Sequence, residues 1–246
     1  MTARAPVPGL SFEGSVFADA RTGARRLLGP LSLTVAARRW TCLLGPSGVG
    51  KSTLLQAFTG LPDGLRMDGS AVLDAGAQPL GQVALMAQDA GLLPWLSALQ
   101  NVWIGSRLRG ERPDHARAKA LLEQVGLGAQ GAQNCTRLSG GQQQRLALAR
   151  TLYEDRPVVL LDEPFSALDV ATRLRVQDVA RDLLRGRTVL HVTHDPAEAA
   201  RIADDILIFD HSGLTPVSVP QHSKQADDPK IQALTSDLTR LLLEAA

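Results

Sequence analysis

The sequence predicts an α/β protein: a mostly parallel sheet covered on both faces, an antiparallel β part at the N-terminus, and an α-helical subdomain inserted between sheet strands. Three observations carry this. First, strand-like runs at residues 158–161 and 188–192 flank a helical pattern at 171–184, the strand, helix, strand order of parallel sheets. Second, the strand-like Trp40–Leu44 runs straight into a glycine-rich loop and a helical pattern at 51–58, stopped by Gly60 and Pro62. Third, residues 89–156 read as helical. Ala118, Leu121, Leu122 and Val125 sit at i, i+3, i+4 and i+7 before Gly126, and a further helix starts at Ser139 and runs through Leu146, Ala149 and Leu152.

The remaining elements follow in order. Residues 10–17 and 31–35 read as short strands, with a polar turn at 19–23. Residues 72–73 and Val83–Met86 are further strand candidates. Residues 206–209 and 217–219, around His211-Ser212-Gly213, suggest a hairpin closing the sheet. A polar linker at 223–229 precedes an amphipathic helix at 231–243. The whole chain reads as one domain. Its core is formed by 1–88 plus 157–246, and 89–156 is the insertion. No internal repeat or low-complexity tract interrupts it.

The composition is that of an ordinary globular protein, 44% hydrophobic and 21% charged. A net charge of +1 gives no general pull toward nucleic acid or anionic lipid, and no nucleic-acid partner is expected. Cys42 and Cys135 lack CxxC spacing and read as inert thiols in a reducing compartment. Apolar runs such as 158–161 are far shorter than the ~20 residues that span a bilayer. No signal peptide follows Arg4, so a cytoplasmic chain is expected, free to dock on a membrane protein.

Gly45-Pro46-Ser47-Gly48-Val49-Gly50-Lys51-Ser52-Thr53 fits G-x-x-x-x-G-K-[ST] at every fixed position, between a strand and a helix. This is the P-loop arrangement. Glycines let several N–H groups converge on phosphate oxygens, and the following helix adds its positive end. Lys51 supplies a compact charge for the β- and γ-phosphates, and only four of the chain's 26 basic residues are lysines. The Ser52 hydroxyl is a hard ligand suited to Mg²⁺. The strand at 158–161 leads into Asp162, placed to hold the Mg²⁺ shell, and Glu163, placed to polarise an attacking water.

With Leu138-Ser139-Gly140-Gly141-Gln142 the chain resembles the ABC-type ATPases, whose P-loop core belongs to the RecA-like class. The resemblance covers nearly the whole chain, with the glycine loop, Gln88, this signature, Asp162-Glu163, Ser166-Ala167-Leu168-Asp169 and His194 in the expected order. Ser139 suits an N-cap with Gln142 completing a capping box, and Gly140 and Gly141 allow close approach to a phosphate. The resemblance implies that this helix start faces the γ-phosphate of a second subunit. ATP then glues two subunits head to tail, as a homodimer or, less simply, a heterodimer. It also implies that Gln88 ligates Mg²⁺ and senses the γ-phosphate, that Asp169 communicates across the dimer, and that His194 contacts the γ-phosphate. A plain helix N-cap suits Asp169 equally. His191, inside the strand, reads as structural. Two departures stand out. The aromatic residue that usually stacks on adenine has only Phe17, or next Phe12, to represent it, and either also suits the core. The usual Gly-Glu before the cradle strand is Arg38-Arg39 here.

The chain lacks room for long coiled coils, carries a single ATPase engine and has no membrane helices, which resembles the separate ATPase subunit of an importer. Residues 88–97 with Asn101-Val102 resemble importers of the nitrate, sulfonate and taurine group, and residues 40–51 and 154–159 resemble members assigned to hydroxymethylpyrimidine, a thiamine precursor. The partners this implies are a second ATPase subunit, transmembrane permease subunits and, indirectly, a solute-binding protein, with the chain peripheral on the cytoplasmic membrane face. Leu92, Leu93 and Trp95 would suit contact with the permease, or else core packing. The alternative is a non-transport ABC ATPase in a soluble complex, and a P-loop kinase ranks behind both.

Overall fold

A computed structural model of the protein describes residues 7–18, 24–220 and 228–244. The expected turn at 19–23 lies outside them, as does most of the expected linker at 223–229. The chain forms two compact units. Unit 1 comprises Met1–Val83, Pro157–Asp162 and Gly186–Ala246, and unit 2 comprises Ala84–Arg156 and Glu163–Arg185. The short strand β5 (Val83–Met86) straddles the division.

Unit 1 contains an antiparallel sheet in the order β2-β1-β4, made of β1 (Leu10–Ala18), β2 (Arg25–Val35) and β4 (Leu65–Leu73). Both β2 and β4 extend well beyond the expected 31–35 and 72–73. The Asp68-Gly69-Ser70 stretch hides β4 in the sequence because its residues disfavour strands in isolation. Pairing overrides that preference. Leu10 to Ala18 pair continuously with Leu73 to Leu65, and Gly14 faces Gly69 with both at φ near +130° (136° and 132°). A Cβ on either glycine would strike the other strand's backbone, so the close approach requires both.

The second sheet of unit 1 runs β6-β7-β3-β8-β9. Its strands are β3 (Trp40–Leu44), β6 (Val158–Asp162), β7 (Thr188–Thr193), β8 (Asp205–Asp210) and β9 (Gly213–Val217). The pairs β6–β7, β7–β3 and β3–β8 are parallel, and β8–β9 is the expected hairpin. Every residue of β3, β6 and β7 is buried, as expected of strands covered on both faces. Helix α1 (Lys51–Ala57) packs against β6, and α6 (Pro196–Ile202) packs against β3 and β7. The last helix, α7 (Pro229–Glu244), covers α6 with its buried Ile231, Leu234 and Leu238.

Arg38 takes φ 61°, a conformation that the glycine usual at that position reaches without strain. Arg39 pairs with Asp205 at the start of β8, so the Arg38-Arg39 departure is absorbed at the sheet's edge. At the other end of β3, a Cβ on Gly45 would run into the carbonyl of Phe209. Gly45→Ala is expected to lower stability by about 1–3 kcal/mol, the usual cost of forcing atoms into a packed site, and thermal unfolding measures it.

Unit 2 is helical. Its helices α2 (Ala98–Leu108), α3 (His115–Gln124) and α4 (Gly140–Tyr153) pack on one another, and α5 (Val170–Leu183) belongs to the same unit. The boundaries therefore differ from the expected insertion at 89–156, because residues 163–185 group with the helices. Gln144 on α4 provides a physical reason. Its side chain donates to Glu163 O at 2.8 Å and Ser166 Oγ at 3.0 Å and accepts from Ala167 N at 2.9 Å, which binds the segment after β6 to α4. Among the described residues, no helix is long and apolar enough to cross a membrane.

Candidate nucleotide site

The register of the parallel strands in unit 1 brings one group of candidate residues to a common edge. Leu44, the last residue of β3, pairs with Thr193, the last of β7, and Asp162 at the end of β6 pairs with Val192. Gly45 and His194, the next residues in the chain, therefore emerge at one sheet edge together with Asp162. Open α/β sheets bind ligands at this carboxyl edge of their strands.

The loop from Gly45 to Gly50 is shaped for phosphate. Gly48 (φ 84°) and Gly50 (φ 108°) take left-handed conformations, and open space surrounds Gly48 where a Cβ would be. Ser47 and Gly48 are exposed, whereas Pro46, Ser52 and Thr53 are half-buried and Val49 is buried. Lys51 is 8% exposed, and its Nζ donates to the carbonyls of Gly45 at 2.7 Å and Pro46 at 2.8 Å. Its charge is thus held against the loop. A cleft of about 480 Å³ adjoins Gly48 and Val49, walled by Leu27 and Leu28 of β2 and by Asp210 and Ser212 at the β8–β9 turn.

Asp162 is 5% exposed. Burial pushes its carboxyl up, against the hydrogen bond from Ser52 and the charge of Lys51, and the net effect is upward. A desolvated carboxylate beside a serine hydroxyl is a pair of hard oxygen donors. Mg²⁺ favours such a site, since it binds through one or two protein oxygens and takes its other ligands from phosphate and water. The donor set therefore fits Mg²⁺ bound together with a nucleotide. Of the two aromatic candidates for base stacking, Phe12 is 1% exposed and packs edge-on against Phe58, which makes it core. Phe17 is half-buried, with the Arg66 guanidinium 5.2 Å from its ring centroid.

The remaining candidate residues lie in unit 2. Ser139 caps α4, accepting from Gln142 N at 3.3 Å while Gln142 Oε1 accepts from Ser139 N at 2.9 Å, the reciprocal box expected from the sequence. Gly140 is exposed, with no atom within 4 Å of a would-be Cβ, and a Cβ on Gly141 would lie 2.9 Å from Ala167 O. Glu163, half-buried, follows Asp162 directly and takes φ 50°. A non-glycine residue in this conformation carries local strain of the kind concentrated at functional sites. Its carbonyl also accepts from Ser166 Oγ at 3.1 Å. Gln88 is exposed just after β5. Asp169 caps α5, accepting from Thr172 N at 3.0 Å, and this hydrogen bond holds its carboxyl below the usual range.

The loop after Gln88 mixes the two expected environments. Trp95 is 72% exposed, while Leu92 and Leu93 are half-buried. The fully buried Asn101 accepts from Leu93 N at 2.8 Å and donates to Ser97 O at 3.0 Å. Arg150 of α4 donates to Ala90 O at 2.6 Å and Gly91 O at 2.8 Å. Burial pushes its guanidinium pKa down. The sequence reading missed Arg150 and Gln144. Three consecutive glutamines at the start of a buried helix were the available signal for Gln144, because one of them must face inward. Both cysteines are buried and free.

Comparison with known proteins shows the family. The family model described as ABC transporter matches residues 28–166. The chain is 40% identical over 222 residues to an aliphatic sulfonates import ATP-binding protein of Delftia acidovorans, covering 89% of this chain and 88% of that one. It is 41% identical over 200 residues to a taurine import ATP-binding protein of Pseudomonas aeruginosa, covering 78% and 74%. A dimeric ATP-binding cassette in a post-hydrolysis state, bound to ADP and Pi, matches with a TM-score of 0.77 at 25% identity, over 87% of this chain and all (100%) of that one. On these matches the chain belongs to the ABC transporter family as an ATP-binding, ATP-hydrolysing component.

Proposed function

We propose that the chain powers a membrane importer of a small solute through ATP-driven closure of two copies. The observation that carries the hydrolytic part is the register that brings Gly45, Asp162 and His194 to one sheet edge. The loop N–H groups and Lys51 hold the phosphates, Thr53 lies one residue beyond Ser52 on the same helix start, and Phe17 stacks on the base. Ser52, Asp162 and Gln88 hold Mg²⁺, which when bound neutralises developing phosphate charge. Glu163 accepts a proton from the attacking water as its oxygen bonds to the γ-phosphorus. The bond to ADP breaks, giving ADP and phosphate. His194 donates a hydrogen bond to the γ-phosphate, so catalysis rests on positioning and charge rather than on a covalent intermediate.

In this reading Ser139, Gly140, Gly141 and Gln142 complete the site of the other copy, and Asp169 carries the state of one site to the other. The exposed Trp95 and the loop around it meet the permease, so the subunit sits peripherally on the cytoplasmic face of the membrane, with a solute-binding protein acting further upstream. Two relatives named as sulfonate and taurine import proteins favour a small sulfonated anion as cargo. The resemblance of residues 40–51 and 154–159 to hydroxymethylpyrimidine importers makes that pyrimidine the competing cargo. Affinity capture from solubilised membranes is expected to recover a polytopic membrane protein, and recovery of soluble partners alone would favour the non-transport alternative. Reconstitution with the captured permease and its binding protein, assayed with taurine, alkanesulfonates, nitrate and hydroxymethylpyrimidine, then identifies the cargo.

A further inference from the structure

His191 and Glu198 form a buried pair that brackets His194. His191 lies on β7, three residues before His194, and Glu198 lies on α6, four residues after it. Their side chains are 0% and 3% exposed, and His191 Nε2 is 2.7 Å from Glu198 Oε1. The exposed His194 thus sits on a turn whose two flanks are tied together beneath it. Asp195 tightens the same turn. Its N–H donates to Thr193 Oγ1 at 3.1 Å, and its carboxylate accepts from Ala197 N at 2.9 Å as the cap of α6.

The pair is also fastened to the cradle strand. Trp40 Nε1 donates to His191 Nδ1 at 3.3 Å, and the two rings meet edge-on at 5.9 Å. An indole N–H can only donate, so Nδ1 accepts, and the Nε2 proton faces Glu198. Cys42 Sγ lies 3.5 Å from the same Nδ1. Trp40 and Cys42 belong to β3, which ends at Leu44 and delivers Gly45 into the phosphate loop. The opposite nitrogens of one imidazole therefore hold β3 and α6. A buried polar link of this kind fixes geometry more than it adds stability, because its desolvation cost offsets much of its attraction.

We infer that His191 and Glu198 are positioning residues that set His194 against the phosphate cradle. The inference rests on the reading of His194 given under Proposed function, and neither residue touches nucleotide. A side chain on an exposed turn reaches a γ-phosphate reproducibly only if the turn is braced, and a displacement of about 1 Å can cost on the order of 10²-fold in rate.

The test compares steady-state turnover and ATP affinity in four variants of the full chain, each checked for folding by thermal unfolding. Glu198→Gln keeps an acceptor oxygen for Nε2–H and is expected to retain turnover within about threefold. The His191→Leu/Glu198→Leu double variant replaces the pair with apolar packing, a change that buried polar pairs tolerate when the volume is filled, and thermal unfolding checks that it stays folded although Trp40 Nε1 loses its acceptor. It is expected to lose at least about tenfold in kcat while its affinity for ATP, set by the loop and Lys51, changes less than about threefold. His194→Ala serves as the reference, and adding it to the double variant is expected to cause no further loss, as for residues that act as a unit. Unchanged kcat in a folded double variant overturns the inference, and so does an equal loss in Glu198→Gln. Unchanged turnover in His194→Ala instead overturns the role given to His194 itself, which separates the two failures.

Discussion

Lys51→Ala is expected to lower ATP affinity by about 10²–10⁴-fold. The Nζ is buried against the loop, and its bonds to Gly45 O and Pro46 O fix its charge beside the peptide groups that face phosphate. Hydrogen bonds between charged partners contribute about 1.5–3 kcal/mol each, and two such bonds to phosphate oxygens correspond to this range, at about 1.4 kcal/mol per tenfold. The ATP-dependent rise in thermal stability reports the loss directly. A wild-type chain at a hundredfold excess over its dissociation constant gains about 2.7 kcal/mol, and the variant at the same ATP concentration should gain a few tenths at most. Without ATP the variant leaves two carbonyls without their lysine, so its baseline also drops slightly. Comparing each protein with its own nucleotide-free form removes that contribution. Affinity within threefold of wild type would contradict the loop's assignment as the phosphate site. Lys51→Arg should also fail, because a planar guanidinium does not fit where a compact ammonium rests on two carbonyls.

The parts of the fold that were legible in the sequence are those with a strong local cause. Strands β3, β6 and β7 are uninterrupted apolar runs, and the start of α4 was marked by Ser139 and Gln142, whose two reciprocal bonds are present. The glycine loop was legible because its residue types follow from the phosphate geometry it must adopt. β4 was mostly illegible, since Arg66, Asp68 and Gly69 look like a turn until β1 pairs with them residue by residue. The grouping of residues 163–185 with the helices, beyond the expected insertion at 89–156, has no local sequence signal; one of its ties is Gln144, a polar side chain whose three bonds reach about 20 residues along the chain.

The site divides along similar lines. Motif spacing singles out Lys51, Ser52 and Asp162 as candidates, and the family resemblance singles out Ser139. The register Leu44–Thr193 and Asp162–Val192, which makes neighbours of Gly45, His194 and Asp162, is a property of strand pairing and appears in no local pattern. Phe17 ranks ahead of Phe12 in sequence, and burial places Phe12 in the core while Phe17 is half-buried. His191 read as a structural histidine. It is structural, but its contacts with Trp40 and Glu198 place that structure directly beneath His194.

Glu163→Gln should bind ATP, hydrolyse it about 10²–10⁴-fold more slowly, and accumulate as an ATP-bound dimer. The range is that of a general base removed from a site whose other groups remain in place. The backbone supports so selective an effect. Glu163 sits at φ 50°, a conformation its own side chain does not favour, and its carbonyl is pinned by Gln144 Nε2 and Ser166 Oγ. Those bonds involve main-chain oxygen only, so glutamine inherits the same backbone and nearly the same volume while losing the ability to accept the water's proton. Binding is expected to persist because Lys51 and the loop are untouched. Under the proposed mechanism, in which ATP closes two copies by joining each cradle to the other copy's Ser139 helix, dimers should persist because ATP is no longer consumed. Light scattering should then show dimer with ATP, and monomer with ADP or without nucleotide. The pattern discriminates between assignments. Slow hydrolysis without dimers would keep Glu163 as the base and reject the composite site. Wild-type turnover would remove Glu163 from the mechanism and leave Asp162, its neighbour on the cradle side, as the remaining carboxylate at that strand end.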